Sequence, residues 1–276
     1  MSGMLQLQHP LGLIHDLDIE AYHSGPGISK SGLDDMDPPA RYYALHLDPN
    51  RPERTQTASQ RVGQLAHCAI LEPEEFAKRY AVGPDVIRST KVWREFEESL
   101  APGVEAIKPD EASVAWAQRE SVLKVPGMKE ILSAGIAEAS AYWIDPGTGV
   151  LCRCRPDWVC DDALIDLKTV GRGDTFGFSW QAFKLNYHIQ DAFYRWGYAQ
   201  ASNTPQRDFW FLTVESDYPY LAARHRLPVE VKNRAMDVVR VKLDLYAQCL
   251  DHNEWPGYPG EIQLVDWPAW ALTQEI

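Results

Sequence analysis

The sequence predicts an α/β domain of the α+β kind, with a mixed sheet flanked by helices. Three observations carry this prediction. Residues 28–135 space their apolar positions mainly as helices do. From residue 136 the period shortens to that of strands, with turn signals between the runs. A long amphipathic stretch at 229–250 then returns to helical spacing.

Taken in order, residues 1–27 read as an irregular lead-in ending in Ser24-Gly25-Pro26-Gly27. Ser29 is a suitable N-cap for a helix over 30–36, and Pro38-Pro39 opens another short helix carrying Arg41, Tyr42 and Tyr43. The polar segment 48–58 is predicted to be a mobile loop. Residues 59–71 have helical spacing, with Val62, Leu65, Ala66, Ala69 and Ile70 on one side, and Glu72-Pro73 ends the run. Helical patterns recur at 91–100 and 109–125, and Pro126-Gly127 breaks the second. Residues 136–145 and 150–160 flank Pro146-Gly147-Thr148-Gly149, a hairpin signal. Asp161-Asp162 makes a second tight turn into Ala163–Val170, the third strand of a meander. An aromatic helix over 178–201 follows, then a buried strand at 208–216 with a partner at 221–227. The tail, 251–276, sets Trp255, Trp267 and Trp270 among prolines, as an extended strap or a subunit contact. The expectation is one domain over 1–276: a helical part at 28–135, a catalytic sheet with its helices at 136–250, and that tail.

Composition narrows the function classes. With 45% apolar and 11% aromatic residues a core can form, which excludes wholesale disorder. No window approaches 18 consecutive apolar residues, and the N-terminus lacks a basic stretch followed by an apolar run, so neither a membrane span nor a secretory signal is expected. Five cysteines, an odd number, then point to a reduced, cytoplasmic protein. The net charge of −12 argues against a non-specific nucleic-acid coat protein. It does not exclude a nuclease, whose metal-holding carboxylates are acidic by necessity.

The chemistry centres on Arg155-Pro156-Asp157 and on Asp166-Leu167-Lys168, with eight residues between the two aspartates. On a strand, Ala163, Ile165 and Leu167 face one way, and Leu164, Asp166 and Lys168 the other. Asp166 and Lys168 therefore share a face, about 6.5–7 Å apart along the backbone. The turn at Asp161-Asp162 folds this strand back beside the one ending near Asp157, so the two aspartates converge. Paired carboxylates are a hard-oxygen site for Mg²⁺ or Mn²⁺, which lowers the pKa of water and offsets charge at a phosphoryl transition state. Lys168 can orient the water or neutralise that charge. An Asp-x-Lys pair alone also fits a half-exposed strand facing solvent.

Two helix pairs add to this. Gly63 and His67 share a helix face, and a mid-helix glycine costs about 1 kcal/mol against alanine, which suggests close approach to a strand or a phosphate. His67 can supply a nitrogen ligand or be an ordinary core histidine. Gln190 and Tyr194 form another i,i+4 pair, suited to a water, a phosphate or a base, and equally to plain amphipathicity.

The order Gly63/His67, Glu138, Pro156-Asp157, Asp166/Lys168, Gln190/Tyr194 resembles the RecB-like branch of the PD-(D/E)xK nucleases. Within it the chain is most similar to RecE-type exonucleases (exonuclease VIII). The strings Gly27-Ile28-Ser29, Gly63-Gln64-Leu65-Ala66-His67, Leu71-Glu72-Pro73-Glu74-Glu75-Phe76, Leu151-Cys152-Arg153-Cys154-Arg155-Pro156-Asp157 and Tyr187–Tyr194 carry this, from about residue 22 to Glu254-Trp255-Pro256. The resemblance implies a restriction-endonuclease-like core. It also implies Mg²⁺-dependent 5′-to-3′ degradation of linear double-stranded DNA, leaving 3′ tails for a RecT-type annealing protein, by a homo-oligomeric ring. Larger members carry a long extra N-terminal region, and many have Glu where this chain has Asp166.

Carried over by motif, Asp157, Asp166 and His67 would hold the metal together with the Leu167 carbonyl. Lys168 would serve the water, Glu138 would be a further acid, and Gln190 and Tyr194 would contact DNA or water. Ser29 and Arg41 are candidates for a 5′-phosphate site, although any surface group would look the same. Arg153 is a candidate for phosphate contact or for pairing with a carboxylate. The positions of Cys152, Cys154, Cys160 and Cys249 do not match a four-cysteine iron–sulfur pattern, so no cluster is expected. The competing readings are an endonuclease or end-trimming enzyme on single strands or flaps, a non-catalytic DNA-end scaffold, and an unrelated acidic metallohydrolase.

Overall fold

The computed structural model describes residues 11–52 and 57–265. Part of the predicted 48–58 loop, together with Trp267 and Trp270, lies outside them. The chain begins with β1 (Gly12–Ile14), α1 (Ile19–Ser24), α2 (Lys30–Asp34) and α3 (Pro39–Tyr42), which runs into a π-helical turn over Tyr43–Leu47. There follow α4 (Ala58–Leu71), α5 (Pro73–Arg79), β2 (Tyr80–Val82), α6 (Lys91–Glu98), β3 (Glu105–Ile107), α7 (Pro109–Leu123) and α8 (Met128–Ser133). The second half comprises β4 (Ile136–Ala137), β5 (Ser140–Ile144), β6 (Leu151–Cys154), β7 (Trp158–Val159), β8 (Ala163–Val170), α9 (Thr175–Lys184), α10 (Tyr187–Ser202), β9 (Asp208–Glu215), β10 (Ala222–His225) and α11 (Val229–His252).

The main sheet has the order β10-β9-β8-β7-β4. It is mixed, because β8 and β9 pair in parallel while the other ladders are antiparallel. Helices α9 and α10 form the connection that parallel strands require. Alternation along β8 sorts its residues onto two cores. Ile165 and Leu167 pack with Ala66 and Ile70 of α4, Val122 of α7 and Met128 of α8. Leu164 and Val170 pack with α10 and α11 through Ile189, Phe193, Val239 and Leu243. Helices thus cover both faces of the central strands. This is the predicted α/β (α+β) arrangement of a mixed sheet flanked by helices.

The expected meander divides at one place. β5 and β6 belong to a second sheet with β1, whereas β4 and β7 join β8. The passage lies at Glu138, with φ of 50°, on one strand and at Arg155-Pro156-Asp157 on the other. A non-glycine residue at positive φ ends the regular ladder there. The single aromatic helix expected over 178–201 is two helices, broken where Asn186 takes a left-handed conformation with φ of 53°. Val62, expected on the inner side of α4, is exposed. Helix α10 lies on β5 at Gly197, where a Cβ would sit 2.1 Å from the Trp143 ring, so only glycine permits that approach. Beyond α11, Trp255 stacks on Tyr42 at 5.4 Å and the Pro256 carbonyl accepts from the Ala40 amide, so the start of the tail does strap the early helices.

Candidate active site

The turn after β7 sets Trp158 opposite Ile165 and Val159 opposite Leu164, so one further step places Asp157 beside Asp166. The Leu167 amide donates to Asp157 Oδ2 at 2.7 Å, which ties that carboxylate to the next strand. Asp166 is almost wholly buried. Gln190 of α10 donates from Nε2 to its Oδ1, and the Lys168 ammonium pairs with its Oδ2. Beneath Lys168 lies the Tyr187 ring, 4.8 Å from Nζ, in reach of a cation–π interaction. His67 of α4 approaches from the other helical layer. Its Nε2 donates to the Leu167 carbonyl at 2.9 Å, which leaves Nδ1 3.7 Å from Asp157 Oδ2.

Two acids here face one ammonium. Burial, reinforced by the Asp166 charge, pushes the Asp157 carboxyl up to about 7, while His67, Lys168 and the Leu167 amide pull the other way. Burial would lower the Lys168 ammonium, but the charges of Asp166 and Asp157 more than offset this and leave it above its ordinary value. Burial also holds the Tyr194 hydroxyl well above its usual range. Tyr194 packs edge-on against Phe209 at 5.9 Å, half-buried at the margin of the core.

The donor set suits a hard divalent cation. Two carboxylates and the Leu167 carbonyl are oxygen ligands, and an imidazole stands beside them. Asp166 Oδ2 is buried without a well-formed hydrogen bond, so its lone pairs are not satisfied by Lys168 alone. As the side chains stand, two of the expected ligands, His67 and the Leu167 carbonyl, are bonded to each other. Among the described residues no three His, Cys, Asp or Glu side chains enclose an ion. Binding would require the His67 ring and the Lys168 ammonium to turn aside.

Several of the expected site residues are engaged within the fold. The Glu138 carboxylate is held in an ion pair by Arg155, and its backbone amide bonds to the Asp157 carbonyl at 3.0 Å. It adjoins Asp157 through the backbone, with its acid group engaged elsewhere. Arg153, expected at phosphate or a carboxylate, is buried. It donates to the carbonyls of Tyr22, Gly25 and His23 and anchors the lead-in to β6. The Gln190 amide is directed at Asp166, and the residue is buried. Ser29 caps α2 by accepting from the Gly32 amide at 3.3 Å. Arg41 donates to the Asp37 carbonyl and to the Tyr258 hydroxyl, so its fork is occupied within the chain. A Cβ at Gly63 would sit an ordinary 3.5 Å from the Thr169 hydroxyl of β8, so the helix–strand approach is close but does not demand glycine. Tyr187 enters the sequence reading only as the first residue of the Tyr187–Tyr194 string, with no role of its own. An aromatic residue three positions before Gln190 was the available signal.

Cys152 and Cys154 are both wholly buried in the core beside α10. Among the described residues, no helix is long and apolar enough to cross a membrane.

Comparison with known proteins bears on the fold and the family. A solved structure from Eubacterium rectale named "Putative exonuclease" superposes with a TM-score of 0.57 at 14% sequence identity, covering 95% of this chain and 100% of that one. At that identity the likeness speaks for a shared fold. No curated protein matches the sequence. Residues 29–268 match the family described as a PDDEXK-like domain of unknown function (DUF3799), and this span includes every residue of the Asp157, Asp166 and Lys168 cluster. The chain belongs to that PDDEXK-like family.

Proposed function

We propose that the protein is a divalent-cation-dependent DNA nuclease with RecE-type activity. In this reading it degrades one strand of linear duplex DNA from the 5′ end, leaves a 3′ tail for a RecT-type annealing protein, and works as a homo-oligomeric ring. The observation that carries the nuclease reading is the charge deficit at β7–β8, where Asp157 and Asp166 stand side by side against the single Lys168 ammonium. Family membership supports it, and so does the name of the structural neighbour.

Asp157, Asp166 and the Leu167 carbonyl would hold Mg²⁺, or Mn²⁺ in its place, with His67 beside them. A cation bound there supplies Lewis acidity to the scissile phosphate and lowers the pKa of water. Gln190 fixes the Asp166 carboxylate so that it need not reorganise as charge develops. Lys168 keeps its proton at Nζ and, freed from Asp166, donates a hydrogen bond to a phosphate oxygen or to the attacking water. The fully buried Leu164 and Phe211 on this same face exclude bulk water and strengthen both interactions.

The test is digestion of end-labelled linear duplex with Mg²⁺, Mn²⁺ or Ca²⁺, beside closed circular DNA. The expected result is Mg²⁺-dependent loss of 5′ label, intact circles and long single-stranded remnants. Lys168→Ala should lower the rate by about 10²–10³-fold. Cutting of circles would refute end dependence, and short defined cuts would favour the endonuclease alternative. Unchanged activity in Asp166→Ala would remove the assignment of the site.

A further inference from the structure

Helix α9 has two aromatic faces with opposite fates. Phe178 and Ala182 are buried against the core. Phe176, Trp180 and Phe183, at spacings of four and three, share the other side and are 69%, 64% and 72% exposed. Their ring planes span about 10 Å along the helix axis. Three large rings on one short stripe are unusual on a free surface, where such patches mark a binding site.

The helix that carries the stripe packs, through its inner face, against the candidate active site. Strand β8, which carries Lys168, ends at Val170, and α9 begins five residues later at Thr175. The inner face of α9 then packs on the residue beneath that lysine: Phe178 contacts the Tyr187 ring at 6.0 Å, and Gln181 donates to the Tyr187 hydroxyl at 3.3 Å. Charge points to the occupant. Three basic residues flank the stripe: Lys168, paired with Asp166, Arg172, paired with Asp174, and Lys184 at the end of α9, in a chain whose acids outnumber its Lys and Arg by 39 to 27. Exposed aromatic rings set among cations match the unpaired bases and phosphates of single-stranded nucleic acid. Every base has a face to stack, and each phosphate needs a counter-charge.

We infer that the outer face of α9 is a stacking platform for unpaired bases of the DNA strand beside the site, holding that strand apart from its complement. This rests on the nuclease reading above and adds to it a place where the separated strand is bound.

The probe is 5′-fluorescein-labelled (dT)₂₀, followed by anisotropy in EDTA, with sedimentation velocity and duplex digestion run on the same proteins. Phe176→Ala/Trp180→Ala/Phe183→Ala should bind (dT)₂₀ at least about tenfold more weakly. Its melting temperature and sedimentation should be unchanged, and Trp180→Phe should keep most of the affinity. Unchanged (dT)₂₀ affinity in the triple variant would overturn the platform. So would a fall in affinity accompanied by dissociation into smaller species, which would make the stripe a contact between copies of the chain. A wild type that digests duplex without binding (dT)₂₀ sinks the platform alone. A wild type that digests nothing sinks the nuclease reading itself.

Discussion

Two clusters in this protein each combine a pair of aspartates, one of them buried, with a lysine, and they differ in charge balance. At the β7–β8 site, Asp157 and Asp166 face one ammonium, that of Lys168, which pairs with Asp166. Where α10 and α11 meet β9, Asp191 and Asp208 share Lys232, with contacts at 3.6 and 2.6 Å. Arg195 adds a bond to Asp191 at 2.6 Å, and Arg226 one to Asp208 at 3.2 Å. The second cluster has more cations than acids; the first has fewer. A carboxylate pair short of positive charge is a place to put a metal ion, whereas a pair with surplus cations is a clamp between elements. The difference lies in the number of cationic partners, since each cluster is built around one buried aspartate, Asp166 or Asp191.

Reciprocal lysine variants should break the comparison most clearly. Lys168→Ala is expected to remove most nuclease activity while folding cooperatively. Lys232→Ala should instead cost about 3–5 kcal/mol of stability in urea unfolding, because it leaves Asp191 buried with one partner fewer. Its folded fraction should keep normal activity per molecule. If the two lysines gave the same phenotype, the distinction between site and clamp would fail.

Cation binding sharpens the same contrast. Mg²⁺ or Ca²⁺ at 100 times its Kd should stabilise the wild type by about 2.7 kcal/mol, read as a rise in melting temperature. Asp166→Ala should lose that rise and Lys232→Ala should keep it. The smallest effect is the pH profile. The Asp157 carboxyl is raised above its ordinary 3.8, so its contribution to stability is complete below that value and is lost as pH rises through about 7. The metal-free protein should therefore lose a few degrees of melting temperature across that range, at about 2–4 °C per kcal/mol. Asp157→Asn, or saturating Mg²⁺, should flatten this part of the curve. Asp208 has the opposite sign. The Lys232, Arg226, Trp210 and Phe209 groups outweigh its burial and hold it below the ordinary range, so its contribution is lost only when pH falls below about 4.

Much of this was legible in the sequence where local chemistry decides the outcome. Strand β8 runs from Ala163 to Val170 as expected, because alternation and the Asp161-Asp162 turn fix its ends and faces. From that alternation follows the adjacency of Asp157, Asp166 and Lys168. Less was legible where backbone groups decide. The role of Arg153 depends on three carbonyls at the end of α1 and just after it, in a lead-in that reads as irregular, and a carbonyl leaves no mark in the sequence. The division of the meander depends on one positive φ at Glu138, and glutamate does not advertise that conformation. The helical pattern runs unbroken through Leu185-Asn186, so only the tolerance of asparagine for left-handed backbone hints at the break.

The bond from the Leu167 amide to Asp157 makes one carboxylate serve as both a strand staple and a candidate ligand. A slip of one residue between these strands would send Asp166 and Lys168 to the opposite face and release Asp157 at the same moment. The cutting chemistry proposed for this pair would therefore be silent in an emerging or partly melted polypeptide.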